Sequence, residues 1–162
     1  MTELVTKNTT LTLQTFLPYR LTHLSGLMSD VLETLCKGYD LTVGELFALT
    51  ALGQSGAMTA KALGTKCHMH KTRVSRLVGG LAKRGLVSVK SNPSDRRATL
   101  IELTPLGKLA HGECTSEAAK FSRALEDAIP AKDLDTLDKC LRTLSQHSRG
   151  LMSMTPYDYP TT

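Results

Sequence analysis

Residues 70–87 read HKTRVSRLVGGLAKRGLV, and their spacing decides the fold. Val74, Leu77, Val78 and Leu81 recur at three- and four-residue intervals, which predicts a helix over 70–84 with one apolar stripe. Winding that helix leaves Thr72, Arg76, Gly79 and Lys83 opposite the stripe, with Arg73 and Ser75 on its flanks. The outer face therefore carries cations and hydroxyls and no carboxylate. Gly85 stands where a helix ends in a left-handed residue, and Leu86 is the apolar residue that follows such an end.

On the N-terminal side, Thr59 is placed to cap a short helix over 60–66 with Ala62 and Leu63 inward, and Cys67-His68-Met69 makes a tight turn. Before it, Thr42-Val43-Gly44-Glu45 has the form of a capping box. It opens a helix carrying Leu46, Leu49 and Leu52 that is expected to stop before Gly53. On the C-terminal side, residues 86–91 and 98–104 are rich in branched side chains and read as two strands, joined by the turn-forming Asn92-Pro93-Ser94-Asp95. Short helix, turn, helix and hairpin, in that order, make a winged helix-turn-helix.

Long amphipathic helices bracket this unit. Residues 17–37 carry leucines from Leu17 to Leu35 at helical spacing, with Pro18 tolerated in the first turn. Thr104-Pro105 starts a helix reaching to about 128, and a last one begins near 131 with Leu134, Leu137, Leu141, Leu144 and Leu151. So small a central unit cannot bury all these stripes, so the helices need each other or a second copy of the chain. The expected fold is mainly α with a small β-hairpin wing (α+β): a winged helix-turn-helix flanked by N- and C-terminal dimerisation helices. The expected divisions are 1–40 for the first dimerisation helix, 41–104 for the winged unit, 105–155 for the C-terminal helices and 156–162 for a flexible tail.

Charge points to the partner. The whole chain is +5, yet between Leu46 and Ile101 ten bases face one acid, Asp95. A basic segment in an otherwise acidic chain is the footprint of a polyanion. Arg or Lys on a helix in the major groove reads guanine edges, and hydroxyls take bases or phosphates. Thr72, Arg73, Ser75 and Arg76 are thus the readout candidates, while Lys71, Lys83 and Arg84 are placed for phosphates. Gly79-Gly80, unfavourable in mid-helix, marks either a close approach to DNA or a neighbouring helix, or a tolerated weak spot.

Other classes find little support. With 41% hydrophobic residues and 4% aromatics the composition is that of a helical globular protein. No apolar run reaches a membrane span and the N-terminus lacks a signal pattern, so a cytoplasmic location with no membrane partner is expected. No Walker, Rossmann, G-x-S-x-G or H-E-x-x-H pattern is present, which argues against an enzyme, and no cofactor is expected. Cys36, Cys67, Cys114 and Cys140 form no CxxC pair and read as reduced thiols. Cys67-His68-Met69-His70 is too short a turn to close three metal ligands tetrahedrally.

Three short motifs, in order and in register, add a family. Gly85-Leu86-Val87 leading into the hairpin, Asp95-Arg96-Arg97 at its tip and Leu103-Thr104-Pro105-Leu106-Gly107 beyond it resemble the "GLV", "D-x-R" and "LT-x-x-G" pattern of the MarR (multiple-antibiotic-resistance-type) regulators. The resemblance implies a triangular homodimer with interlocked terminal helices that recognises a near-palindromic double-stranded operator. It implies that Asp95 orients Arg97 into the minor groove and that Arg96 supports by a phosphate contact. It further implies a small anionic or aromatic effector, bound between the terminal helices and the winged unit, for which Arg20, His23 and His111 are the candidate residues. Repression is the family's habit. Two alternatives remain: a thiol-based redox-sensing regulator, for which Cys67 beside Lys66 and His68 is a candidate low-pKa thiol, and a winged-helix module for protein or non-specific nucleic-acid binding.

Overall fold

Thr42 accepts from the Glu45 backbone N–H at 3.2 Å, and the Glu45 carboxylate accepts from the Thr42 N–H at 2.8 Å, so both halves of the capping box form. This pair starts one of six helices in a computed structural model that describes residues 12–92 and 95–154, with 95–97 and 151–154 as backbone alone. The order is α1 (Leu17–Lys37), α2 (Val43–Ser55), β1 (Met58–Thr59), α3 (Ala60–Cys67), α4 (Lys71–Lys83), β2 (Val87–Asn92), β3 (Asp95–Leu103), α5 (Pro105–Asp127) and α6 (Ala131–Met154). The fold is mainly helical with a small antiparallel sheet, the winged-helix class read from the sequence.

Up to Ala118 the chain forms one compact unit, and from Ala119 a second. The first unit buries the turn end of α1 (Cys36), the inner face of α2 (Leu46, Leu49, Leu52), Leu63 of α3, and Val74, Val78 and Leu81 of α4. Each such side chain contributes roughly 1.5–3 kcal/mol by leaving water. The first turns of α1 do not share in this. Leu17, Leu21, Leu24, Leu27 and Val31 are 38–54% exposed. The second unit holds the rest of α5 and α6, whose Leu137 and Leu141 are 40% and 46% exposed.

Four sequence expectations are corrected. Helix α2 does not stop before Gly53 but runs to Ser55, and the His111 ring lies over Gly53, filling the space a side chain would take. Gly56, at φ +73°, makes the stop instead. Ala62 is exposed, and α3 turns Leu63 and Gly64 inward; a helix of about two turns carries too few apolar positions to fix its phase. The sheet has three strands, in the order β1-β3-β2, since Met58 pairs with Ile101 and Thr59 with Leu100. The hairpin strands extend one residue further than expected at Asn92 and three at Asp95, with a register shift after Ser91. The tail 156–162 and the turn residues Pro93 and Ser94 lie outside the described residues.

Candidate nucleic-acid interface

The turn that launches α4 is tight for a local reason. His68 takes φ +52°, and the Met69 N–H bonds back to the Gly64 carbonyl at 2.8 Å. A Cβ on Gly64 would lie 2.8 Å from the Met69 carbonyl oxygen, so only glycine lets the turn close onto α3. Helix α4 leaves this turn with Val74, Val78 and Leu81 buried and Leu77 half-buried. Lys71, Thr72, Arg73, Ser75, Arg76 and Lys83 are all exposed, and among them stands no acid. Arg73 leans back toward α2, its Nη2 3.6 Å from where a Gly44 Cβ would be. A Cβ on Gly79, in the same exposed face, would meet nothing within 4 Å, and one on Gly80 would meet only Glu45 Oε1 at 3.9 Å. Among the described residues, therefore, no neighbouring helix requires either glycine.

The end of α4 and the end of the hairpin are one construction. The Leu86 N–H bonds to the Leu81 carbonyl at 2.9 Å and the Gly85 N–H to the Ala82 carbonyl at 3.0 Å, a left-handed helix end with Gly85 at φ +70°. Thr104 Oγ1 donates to the Gly85 carbonyl at 2.6 Å while accepting from the Gly107 N–H at 3.0 Å, so it ties this end to the first turn of α5. The wing thus leaves α4 in a fixed direction. On its strands Glu102 accepts from Lys90 and from Ser88, and these bonds, Lys90 first, hold its carboxyl below its usual range. The side chains of Asp95, Arg96 and Arg97 lie outside the described residues; their backbone forms the start of β3. Arg84, counted from sequence among the phosphate-facing bases, instead bonds Glu45 Oε1 at 3.2 Å.

A half-open cavity of about 380 Å³ lies beside the hairpin base, lined by Leu52, Gly53, Gly56, Ala57, Glu102, Leu103, Lys108 and His111. Of the effector candidates only His111 reaches it; Arg20 and His23 are exposed on α1, where the His23 ring stacks on Tyr19 at 5.9 Å. Sequence reasoning missed Lys108, although its three-residue spacing to His111 puts both on one face of α5. Burial pushes the His111 imidazole below its ordinary value of 6.5. A histidine kept neutral by folding costs stability when the unfolded chain can protonate and the folded one cannot. Stability should thus fall as pH drops below about 6.5. Urea midpoints at pH 7.5 and pH 5.0 should differ less in His111→Gln than in the parent chain; an equal difference would remove this assignment.

Cys36, Cys67 and Cys114 are not activated. Burial, then the neighbouring Cys114, pushes Cys36 up to about 11, and burial raises Cys114 as well. Cys67, expected to be lowered, is raised: burial outweighs the opposing charge of Lys66.

Residues 39–98 match the family model described as MarR family. The chain is 26% identical over 120 residues, 74% of its own length and 78% of the relative's, to the HTH-type transcriptional regulator YhbI of Bacillus subtilis (strain 168). It is 28% identical to the crystal structure of AbsC, a MarR family transcriptional regulator from Streptomyces coelicolor, with a TM-score of 0.77 over 87% of this chain and 98% of that one. At 20% identity, with a TM-score of 0.77 over 84% of this chain and 97% of that one, it shares the fold of Bordetella bronchiseptica BpsR, whose DNA binding is regulated by 6-hydroxynicotinic acid. With the helix-turn-helix, the three-stranded sheet and the motif that locks them together, these likenesses show a winged-helix fold similar to that of MarR family transcriptional regulators, whose family model residues 39–98 match.

Proposed function

We propose that the chain acts as a cytoplasmic homodimer on a near-palindromic operator, and that a small effector releases it. In this reading each protomer lays α4 in the major groove, with Thr72, Arg73, Ser75 and Arg76 toward the bases and Lys71 and Lys83 toward phosphates. Arg97, oriented by Asp95 through charge-assisted hydrogen bonds, enters the adjacent minor groove, where negative potential is concentrated, and Arg96 holds a phosphate. The observation that carries the reading is the exposed, acid-free face of α4 beside a wing whose departure is fixed by Thr104. The terminal helices, residues 1–40 and 105–155, supply the dimer contact in this scheme, and repression is the mode expected. No helix among the described residues is long and apolar enough to cross a membrane.

Arg76→Ala and Arg97→Ala should each weaken operator binding by about ten- to a hundredfold, the worth of one good base contact, while leaving the dimer intact. Titrations against a duplex selected from random-sequence DNA measure this directly. Parent affinity in both variants would dispose of the groove assignment.

For the effector, the cavity beside the hairpin supports a small organic anion with an apolar body. Leu52, Ala57 and Leu103 offer the apolar wall, Lys108 the cationic end, and His111 a neutral hydrogen-bonding imidazole beside it. A carboxylate there would find a charge partner in Lys108 and a donor in His111. The fold relative regulated by an aromatic acid favours the same chemistry. The raised thiols give the redox alternative no comparable support.

A further inference from the structure

Arg84 closes the basic run of α4, yet it faces inward along the molecule and not outward with Lys83. Its Nη1 lies 3.2 Å from Glu45 Oε1 and its Nη2 donates to the Asp40 carbonyl, with Asp40 Oδ2 at 3.5 Å. Glu45 is the same carboxylate that closes the capping box, its other oxygen accepting from Thr42 N–H and hydroxyl at 2.8 and 3.0 Å. Asp40 sits at φ +51° in the turn between α1 and α2, a left-handed conformation that Asp tolerates, and its carbonyl is the one Arg84 takes. The guanidinium fork thus spans two fixed acceptors thirty-nine and forty-four residues back in the chain. Glu45 is largely buried, its side chain 12% exposed, whereas Asp40 is 97% exposed and its charge is screened.

We infer that Arg84 is a positioning residue, anchored by Glu45, that sets the angle at which α4 meets the duplex. The inference rests on α4 being the recognition helix. The apolar stripe of α4 resists translation away from the core but allows rotation and sliding along its ridge. Gly80, one turn before Arg84, presents no side chain to α2 and so leaves Arg84 the polar link at this end of the contact. Lys could not replace it, because a point charge on a flexible stem cannot hold two acceptors at a fixed angle.

Glu45→Gln separates this from simple electrostatics. Removing a negative charge near a polyanion site should tighten binding if charge alone mattered. Gln keeps the capping box, so α2 retains its start. With the full chain and the selected operator duplex, Glu45→Gln, Arg84→Met and Arg84→Lys are each expected to weaken binding about five- to tenfold. The Glu45→Gln/Arg84→Met double variant should bind no worse than the weaker single one, since both remove one coupled link. The slope of log affinity against log salt should stay that of the parent in all of them. Glu45→Gln binding as tightly as the parent or tighter overturns the inference, as does full affinity in Arg84→Lys. A slope reduced by about one in Arg84→Met would make Arg84 a phosphate contact instead. Arg76→Ala, titrated alongside, distinguishes the two levels: undiminished affinity there removes the recognition-helix reading and this inference with it.

Discussion

A chain ended after Pro130 is expected to be monomeric or insoluble, and to lose operator affinity by roughly two to four orders of magnitude. The truncation removes α6 (Ala131–Met154) and with it Leu134, Leu137, Leu141 and Leu144. In the single chain Leu137 and Leu141 are 40% and 46% exposed, on a helix whose polar side carries an Asp138–Arg142 ion pair one turn apart. Leucines on one stripe with ion pairs elsewhere suit a helix that packs on a second apolar surface. The stripe of α1, exposed from Leu17 to Val31, has the same need. Covering each half-exposed leucine contributes on the order of 1 kcal/mol, so a handful suffices for a stable association. Light scattering on the purified truncated chain decides the matter. A well-folded dimer would mean that the α6 stripe is not the interface, while the loss of two-half-site binding would follow from symmetry alone if it is.

Much of this is legible in the sequence. Helix α1 spans the residues its spacing predicts and α6 begins where it is expected, because each carries a long apolar stripe. Thr42, Thr59 and Thr104 act locally, within three residues, and local chemistry reads well from a single sequence. Apart from the phase of the short helix α3, the failures named next share a cause. Met58–Thr59 becomes a strand only because Ile101 and Leu100 arrive beside it, and Gly53, read as a stop, is instead the seat of the His111 ring. Arg84 looks like any other base in a basic run until Glu45 stands next to it. Cys67 has a cationic neighbour in sequence, yet burial, which sequence does not display, sets the direction of its shift. Lys108 needed the cavity to be noticed. These were decided by contacts distant in the chain.

The glycine of the "LT-x-x-G" motif gives the sharpest stability test. A Cβ on Gly107 would sit 1.9 Å from the Leu86 carbonyl oxygen and 2.9 Å from its carbon, both backbone atoms that no rotamer change can move aside. The same Leu86 carbonyl accepts from the Thr104 N–H at 3.1 Å, and Thr104 in turn caps α5. Gly107→Ala must therefore either push α5 off the hairpin base or break the Thr104 link to the end of α4. Overpacking against rigid backbone costs about 3 kcal/mol, which for a chain of this size lowers Tm by roughly 6–12 °C. Gly79→Ala is the matched control: the same change, on an exposed helix with nothing within 4 Å, should stabilise by about 1 kcal/mol. If calorimetry finds the two variants equally stable, the close approach of α5 to Leu86 is wrong, and the wing's fixed departure from α4 loses its structural reason. If Gly107→Ala is destabilised as expected, its operator affinity should fall as well. It holds together the two elements that the proposed reading assigns to the grooves.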